Sequence, residues 1–242
     1  QDTGFNMVSS ATNHSMDLGK NALISSAHIW KQHSDILFSG LYENQEDRQT
    51  IRVIEKNGIR FSLLAYTFGV NETTNYKSIQ KQLKTYPYIL GQLNKEQIKE
   101  DVNNAKAQSD VVIVAVHWGK EGHSELSDLQ QEYAHYFADL GVDVVIGNHP
   151  HLIQPIEKIN HTLVIYSLGN FLSTMKDVYN QLEGMVCLDF VKKEDEISIE
   201  NVPLVNHYND NVVTIYSLKE YTSTLASQHS ILKDQADIIK EF

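Results

Sequence analysis

The stretch DVVIGNHPH, residues 143–151, joins a short apolar run directly to two histidines that flank a proline. The run VVI has the β-branched composition of a strand that is covered on both faces. Pro150 stops such a strand from continuing, and His149 and His151 would point the same way if the segment were extended. In α/β folds, ligands bind at the carboxyl ends of strands. The stretch therefore predicts an α/β protein in which a buried strand delivers two imidazoles to a site.

Two further segments repeat this pattern of an apolar strand followed by a polar, histidine-containing turn. VSSATNH, residues 8–14, ends in Asn13 and His14, and VVIVAVHWG, residues 111–119, contains His117 after its apolar run. Three neutral imidazoles and an amide oxygen suit Zn, Mn or Fe. Any one of these histidines, taken alone, is better explained as a surface residue, and the coincidence at three strand ends favours a shared site. The remaining histidines show no such pattern: His28, His33, His123, His135, His161, His207 and His229.

The composition excludes several classes of protein. The chain has 242 residues, which is enough for one large domain with a substantial core or for two small domains. Its content of 41% hydrophobic and 21% charged residues is ordinary for a soluble globular protein. Its formal charge of −11, without a cluster of lysine and arginine, argues against a nucleic-acid partner. The single cysteine, Cys187, excludes a disulfide framework. The sequence has no phosphate-binding loop, no nucleophile elbow and no dinucleotide-binding fingerprint.

Alternating strand and helix patterns predict a mixed α/β domain. Asn94 and Ser127 have the features of helix N-caps, and Ser127 forms a predicted capping box with Gln130. An Asn-Gly turn at residues 57 and 58 predicts a hairpin. We expect the segment 71–87 to be a long connection without secondary structure, and such loops are often functional. The predicted strands are 5–11, 35–38, 50–55, 59–68, 110–116, 143–146, 162–168, 185–191 and 197–202, and the predicted helices are 20–32, 94–107, 127–141 and 228–239.

Four stretches in order, ATNHSMDLG (11–19), HWGKE (117–121), GVDVVIGNHPHLIQPIE (141–157) and YSLGNF (166–171), resemble poly-γ-glutamate capsule biosynthesis proteins of the CapA/PgsA type. These are relatives of the calcineurin-like metallophosphoesterases. The stretch AYTFGVN (65–71) is similar as well, so the likeness extends from about residue 4 to residue 208. The ordered set is specific, whereas any one of the stretches alone would not be.

The resemblance implies a four-layer α/β/β/α sandwich of the metallophosphoesterase type that holds two divalent metal ions, Mn, Zn or Fe. It implies that Asn13, His117, His149 and His151 are metal ligands. His14 would face the scissile group as a general acid or electrostatic stabiliser. The alternative for His14 is that it only forms a hydrogen bond to the turn at residues 15–19.

The family's Gly-Asp strand end and its acidic bridging ligand have no counterpart in this sequence. We expect both upstream of Gln1, together with an apolar membrane anchor, so that the sandwich lacks its N-terminal strand or strands here. A degenerate relative that binds little metal is the other interpretation. On this view residues 1–208 form an N-terminally incomplete capsule synthesis domain and residues 209–242 a helical C-terminal extension.

The resemblance leads to two functional hypotheses. The first is a metal-dependent, phosphoesterase-like hydrolase that takes part in poly-γ-glutamate synthesis or export at the extracellular face of the bacterial cell membrane. The second is a non-catalytic assembly or polymer-binding subunit of the same membrane complex. In both, the partner is poly-γ-glutamate or its synthesis complex. The negative charge of the chain would repel this polyanion unless metal or a local basic patch offsets it.

Overall fold

The structure of the chain is a computed structural model that describes residues 4–72, 75–175, 177–191, 196–209 and 212–228. Its contacts divide the chain into two compact units. The first unit contains residues 1–119, 127–147 and 156–165, and the second contains residues 120–126, 148–155 and 166–242.

The first unit begins with a parallel pair of short strands joined by a helix. Strand β1 (Met7–Ser9) pairs with β2 (Leu37–Ser39), and helix α1 (Gly19–Lys31) connects them. Leu23 and Ala27 on one face of α1 are buried in the same hydrophobic cluster as Phe38. These elements confirm the predicted strand–helix–strand unit, with ends shifted by a few residues.

Two helices of the first unit were not predicted. Helix α2 (Gln45–Gln49) is short and is capped by the Asn44 side chain, which accepts from the Asp47 backbone N–H. Helix α3 (Tyr76–Thr85) lies within the segment that we expected to be an unstructured connection, so that prediction is wrong. The physical reason is that Ile79 and Leu83, one helical turn apart, are buried on one face of an otherwise polar helix.

A six-stranded sheet follows, formed by β3 (Val53–Lys56), β4 (Ile59–Thr67), β5 (Val111–His117), β6 (Val144–Asn148), β7 (Ile156–Ile159) and β8 (Thr162–Ile165). The strand order is β3-β4-β5-β6-β8-β7. The pairs β4–β5 and β6–β8 are parallel, whereas β3 and β7 pair antiparallel to β4 and β8. The consecutive residues Val144 and Val145 have no exposed surface, and neither do Val164 and Ile165. Because consecutive residues of a strand point to opposite faces, this confirms that these apolar runs are covered on both faces. Strand β7 was not predicted.

Local sequence signals place the helices and the hairpin next to this sheet. Helix α4 (Lys95–Lys106) is capped by Asn94, and α5 (Asp128–Asp139) begins with the predicted capping box of Ser127 and Gln130. The turn between β3 and β4 has positive φ at both Asn57 and Gly58, as the Asn-Gly pair predicts.

The second unit contains a three-stranded antiparallel sheet in the order β11-β10-β9. The strands β9 and β10 confirm the predicted second hairpin, whose turn at 192–195 lies outside the described residues, as does nearly all of the predicted helix 228–239. The second unit also has a short helix, α6. The bounds are β9 (Leu182–Val191), β10 (Glu196–Asn209), β11 (Val212–Ser217) and α6 (Ser223–Gln228).

Taken together, the elements confirm the predicted mixed α/β class. Among the described residues, no helix combines the length and the apolar character that crossing a membrane requires.

Candidate functional site

His117 is the last residue of β5, and the neighbouring strand fixes its position. Thr67, the last residue of β4, is its register partner, and the Phe68 backbone N–H donates to the His117 carbonyl oxygen at 2.9 Å. The Phe68 ring lies nearly parallel to the imidazole, at 8° and with 6.4 Å between the ring centroids. The sheet end therefore fixes both the backbone and the ring plane of this predicted ligand.

Asn13 lies in the turn that follows β1, and local hydrogen bonds shape this turn. The Ser15 hydroxyl donates to the Ser10 carbonyl oxygen and accepts from the Thr12 backbone N–H, both at 2.8 Å. Asn13 is only 8% exposed, and its Oδ1 accepts a hydrogen bond from His117 Nε2 at 2.9 Å. The structure thus brings together two predicted ligands from distant parts of the sequence.

The side chain of His14 points away from this pair. It is 68% exposed, and its Nδ1 lies 2.6 Å from Asp17 Oδ2 and 3.0 Å from Asn71 Nδ2. This position suits an imidazole that addresses a substrate, and it equally suits a residue that only closes the following turn. The catalytic role of His14 stays a prediction.

Asn71 is a site residue that sequence reasoning missed. Its Oδ1 accepts from Asn13 Nδ2 at 2.8 Å, and its backbone N–H donates to the Asn13 carbonyl oxygen at 3.0 Å. The sequence offered only a weak signal, because Asn71 ends the stretch AYTFGVN without any metal-binding pattern of its own.

In the second unit, His149 and His151 lie in a strained turn. Strand β6 ends at Asn148, and φ is 107° at His149 and 61° at His151. The prediction that an extended backbone aligns the two side chains is therefore wrong, because neither residue has extended geometry. The turn nevertheless places the two rings 6.5 Å apart between centroids. Positive φ in non-glycine residues costs free energy and clusters at functional sites.

Asparagines of the second unit hold His151 in its orientation. The ring Nδ1–H donates to Asn170 Oδ1 at 2.6 Å, and Asn180 Nδ2 donates to the His151 carbonyl oxygen at 2.9 Å. A neutral ring with its proton on Nδ1 has its lone pair on Nε2, and this nitrogen lies 4.0 Å from Glu121 Oε1. Metal-binding histidines typically have their second nitrogen held in this way. Asn170 and Glu121 belong to the stretches YSLGNF and HWGKE, but sequence reasoning gave neither residue a role.

Asn13 and His117 offer an amide oxygen and an imidazole nitrogen, two donor types that can bind a divalent metal ion. Their 2.9 Å separation is the length of the hydrogen bond between them. In a tetrahedral site, ligand distances of about 2.0–2.2 Å put two ligand atoms about 3.3–3.6 Å apart, so an ion between Asn13 and His117 would replace this hydrogen bond. Within the described ranges, no group of three or more His, Cys, Asp or Glu side chains is placed to hold an ion. The chemistry of the two donors suits a metal ion, and the metal assignment stays a prediction.

Solved structures share the fold of this chain. A candidate 5′-nucleotidase of Staphylococcus aureus, crystallised with α-ketoglutarate, superposes with a TM-score of 0.52 at 15% identity, covering 98% of this chain and 42% of that chain. A hypothetical protein of Thermus thermophilus superposes with a TM-score of 0.51 at 13% identity, covering 84% of this chain and 77% of that one. At this identity the likeness concerns the fold alone, and it confirms the predicted metallophosphoesterase-type fold class.

Sequence comparison gives relatives with named roles. The PGA biosynthesis protein CapA of Bacillus subtilis is 32% identical over 173 residues, which are 71% of this chain and 43% of that protein. The capsule biosynthesis protein CapA of Bacillus anthracis is 30% identical over 173 residues, 71% of this chain and 41% of that protein. The chain therefore spans less than half the length of these curated relatives.

A family model described as the bacterial capsule synthesis protein PGA_cap matches residues 1–175. This match covers the turn with Asn13 and His14, the end of β5 with His117, and the turn with His149 and His151. The resemblance to CapA/PgsA-type proteins is thereby confirmed. The chain belongs to the bacterial capsule synthesis protein family PGA_cap.

Proposed function

We propose that this chain is part of a metal-dependent, phosphoesterase-like hydrolase that acts in poly-γ-glutamate capsule synthesis or export at the outer face of the bacterial cell membrane. The family membership supports the capsule role. The observation that supports the hydrolase role is that Asn13 and His117, whose oxygen and nitrogen donors suit a divalent ion, meet at the end of β5.

Asn13 and His117 would hold one divalent ion, and His149 and His151 would supply the remaining predicted ligands. A bound ion of this kind polarises a phosphoryl or carbonyl oxygen and lowers the pKa of its water. Because imidazole and amide ligands are neutral, they suit Mn, Zn or Fe without cancelling the positive charge of the ion.

The protein's own contribution to proton transfer would come from His14. Its Nδ1 can either donate to the Asp17 carboxylate or accept from Asn71 Nδ2, and in both cases Nε2 is the ring nitrogen that would exchange a proton with a leaving group. The side chain is 68% exposed and therefore accessible to a bulky substrate. Imidazole is suited to this task near neutral pH, and a positioned general acid typically contributes about a hundredfold or more to the rate.

The test is metal content and hydrolysis by the full-length protein. We expect His117→Ala and the double variant His149→Ala/His151→Ala to lose bound Mn, Zn or Fe in elemental analysis. His14→Ala should keep its metal and lose about a hundredfold in turnover of a generic phosphodiester or of poly-γ-glutamate. The control is His135→Ala, which replaces an exposed histidine outside the candidate site. Unchanged metal content in the first two variants would remove these residues from the ligand set.

A specific observation favours polymer binding as a second candidate function. Helices α1 and α3 contain no aspartate or glutamate, although the chain has 31 acidic residues. Lys77, Lys81 and Lys84 are exposed on α3. Their spacing of four and three residues puts them on one helical face, opposite the buried face of the helix. No cluster of lysine and arginine stands out in the sequence, but on the folded helix this lysine face would form the local basic patch that a polyanionic glutamate polymer requires.

Binding of a defined poly-γ-glutamate oligomer at low and physiological salt tests this second candidate. Replacing the three lysines of the lysine face by glutamine should weaken binding by tenfold or more at low salt. The matched control carries the same change in net charge on other exposed lysines of the first unit: Lys56, Lys99 and Lys158. An equal loss in both triple variants would show that only the net charge matters. Binding without any hydrolysis or metal would favour an assembly subunit over an enzyme.

A further inference from the structure

Asn71 connects the two functional residues of the turn after β1. Its Oδ1 accepts from Asn13 Nδ2 at 2.8 Å, and its Nδ2 lies 3.0 Å from His14 Nδ1. Its backbone N–H also donates to the Asn13 carbonyl oxygen at 3.0 Å. One side chain thus contacts both a predicted metal ligand and the predicted acid.

The hydrogen bond to Asn13 determines which end of that carboxamide faces His117. An asparagine side chain has an oxygen on one side and an NH₂ group on the other, and only the oxygen can coordinate a metal. With the Asn13 NH₂ group bound to Asn71 Oδ1, the Asn13 oxygen is turned toward His117 Nε2. Without this acceptor, the amide of Asn13 could rotate and present its NH₂ group to the site.

The loop that carries Asn71 is itself held in place by the sheet. Residues 67–71 follow β4 directly, and the Thr67 backbone N–H donates to the Gly91 carbonyl oxygen at 2.9 Å. The Thr67 hydroxyl donates to the Gly69 carbonyl oxygen at 2.9 Å, and the Phe68 N–H donates to the His117 carbonyl oxygen at the same distance. Asn71 is therefore presented to Asn13 by the same strand end that fixes His117.

We infer that Asn71 is a positioning residue that aligns the Asn13 amide oxygen for a metal ion shared with His117. This inference rests on the proposed function. Residues that orient metal ligands typically change metal affinity by about 10–100-fold when they are replaced. The effect acts through Asn13, because Asn71 Oδ1 accepts its hydrogen bond from the Asn13 amide.

The test is titration of Mn²⁺ and Zn²⁺ into the metal-free full-length protein by calorimetry. We expect Asn71→Ala to weaken the binding of these ions by about tenfold or more. Asn71→Asp keeps an acceptor oxygen for Asn13 Nδ2 and should restore most of the affinity. The matched control is Asn75→Ala in the same connection, whose side chain makes no capping hydrogen bond and which should bind the ions like the wild type.

The outcomes separate this inference from the proposed function. If the wild type binds these ions and Asn71→Ala binds them equally well, the positioning role is wrong and the metal site stands. If Asn71→Asp fails to recover affinity while its melting temperature matches the wild type, the acceptor oxygen is not the feature that matters and the inference is overturned. If the wild type binds neither ion, the proposed metal function fails, and the inference fails with it. If Asn71→Ala does not fold, Asn71→Leu, which keeps the size of the side chain without an acceptor oxygen, takes its place in the same comparison.

Discussion

Replacing Asp101 by asparagine should destabilise the first unit strongly, because it breaks a buried ion pair under β4. Asp101 accepts from Arg48 Nη1 at 2.9 Å and from Nη2 at 2.6 Å, and further from Tyr66 Oη at 2.7 Å and Gln97 Nε2 at 3.1 Å. Arg48 and Asp101 are 5% and 3% exposed, so water can replace little of the charge interaction that Arg48 loses when Asp101 is replaced. Tyr66 immediately precedes the strand end that positions His117.

The size of the effect follows from the charge that is left behind. Burial lowers the pKa of the Arg48 guanidinium, but the hydrogen bonds and the charge of Asp101 raise it, so the net pKa lies above its ordinary value. In Asp101→Asn the guanidinium stays charged, since arginine does not deprotonate in proteins. Removing one partner of a buried pair typically costs about 3–5 kcal/mol. For a domain of this size that corresponds to a fall in melting temperature of roughly 6–20 °C.

The assay is thermal and urea unfolding at neutral pH, with Asp110→Asn as the control. Asp110 pairs with Arg60 at 3.0 Å, but the Arg60 side chain is 47% exposed, so this loss should be small. Metal content per folded molecule should not change in either variant. Equal falls in melting temperature would refute the argument, because a buried and an exposed ion pair would then contribute equally to stability.

Three further predictions concern stability and are tested by thermal unfolding. His207 is buried beside Tyr221, and burial lowers its pKa, so the histidine folds as the neutral form. Stability of the wild type should therefore be full above the unfolded pKa of about 6.5 and should decline as the pH falls below it, whereas His207→Gln should lose less over the same range. Gly91→Ala places a Cβ atom against the Ala65 carbonyl oxygen and should lower the free energy of unfolding by about 1–3 kcal/mol. Gly69→Ala, whose Cβ atom would meet open space, should lower it much less. Equal losses in the two variants would contradict the steric argument. Ser127→Ala removes the capping box of α5 and should cost about 1 kcal/mol, and no change would show that the cap is dispensable.

Much of the fold was predictable because the signals are local. The capping box at Ser127, the Asn-Gly turn at residue 57 and the apolar run of β5 each determine their structure within a few residues. Helix α3 was missed because only Ile79 and Leu83 mark its buried face among lysines and glutamines. Strand β7 was missed because its sequence IEKI is only four residues long and does not alternate between apolar and polar residues.

The candidate site was predictable only in part, for a related reason. Asn13 and His117 follow strands whose ends were expected to converge, and the structure joins them by a hydrogen bond, while their role as metal ligands stays a prediction. The positive φ values at His149 and His151 have no signature in a sequence that contains no glycine at either position. Asn71 and Asn170 act through hydrogen bonds to residues far away in the chain, and spacing within one sequence does not reveal such contacts.

The two candidate functions are physically compatible in the first unit. Helix α1 begins at Gly19, five residues after His14, and the Lys20 backbone N–H donates to Gln82 Oε1 on α3 at 3.1 Å. The helix that carries the lysine face is thereby tied to the turn that carries Asn13 and His14. At physiological ionic strength the Debye length is about 8 Å, so a bound polyanion responds to these lysines more than to distant carboxylates of the chain. A net charge of −11 therefore does not exclude a glutamate polymer from this face.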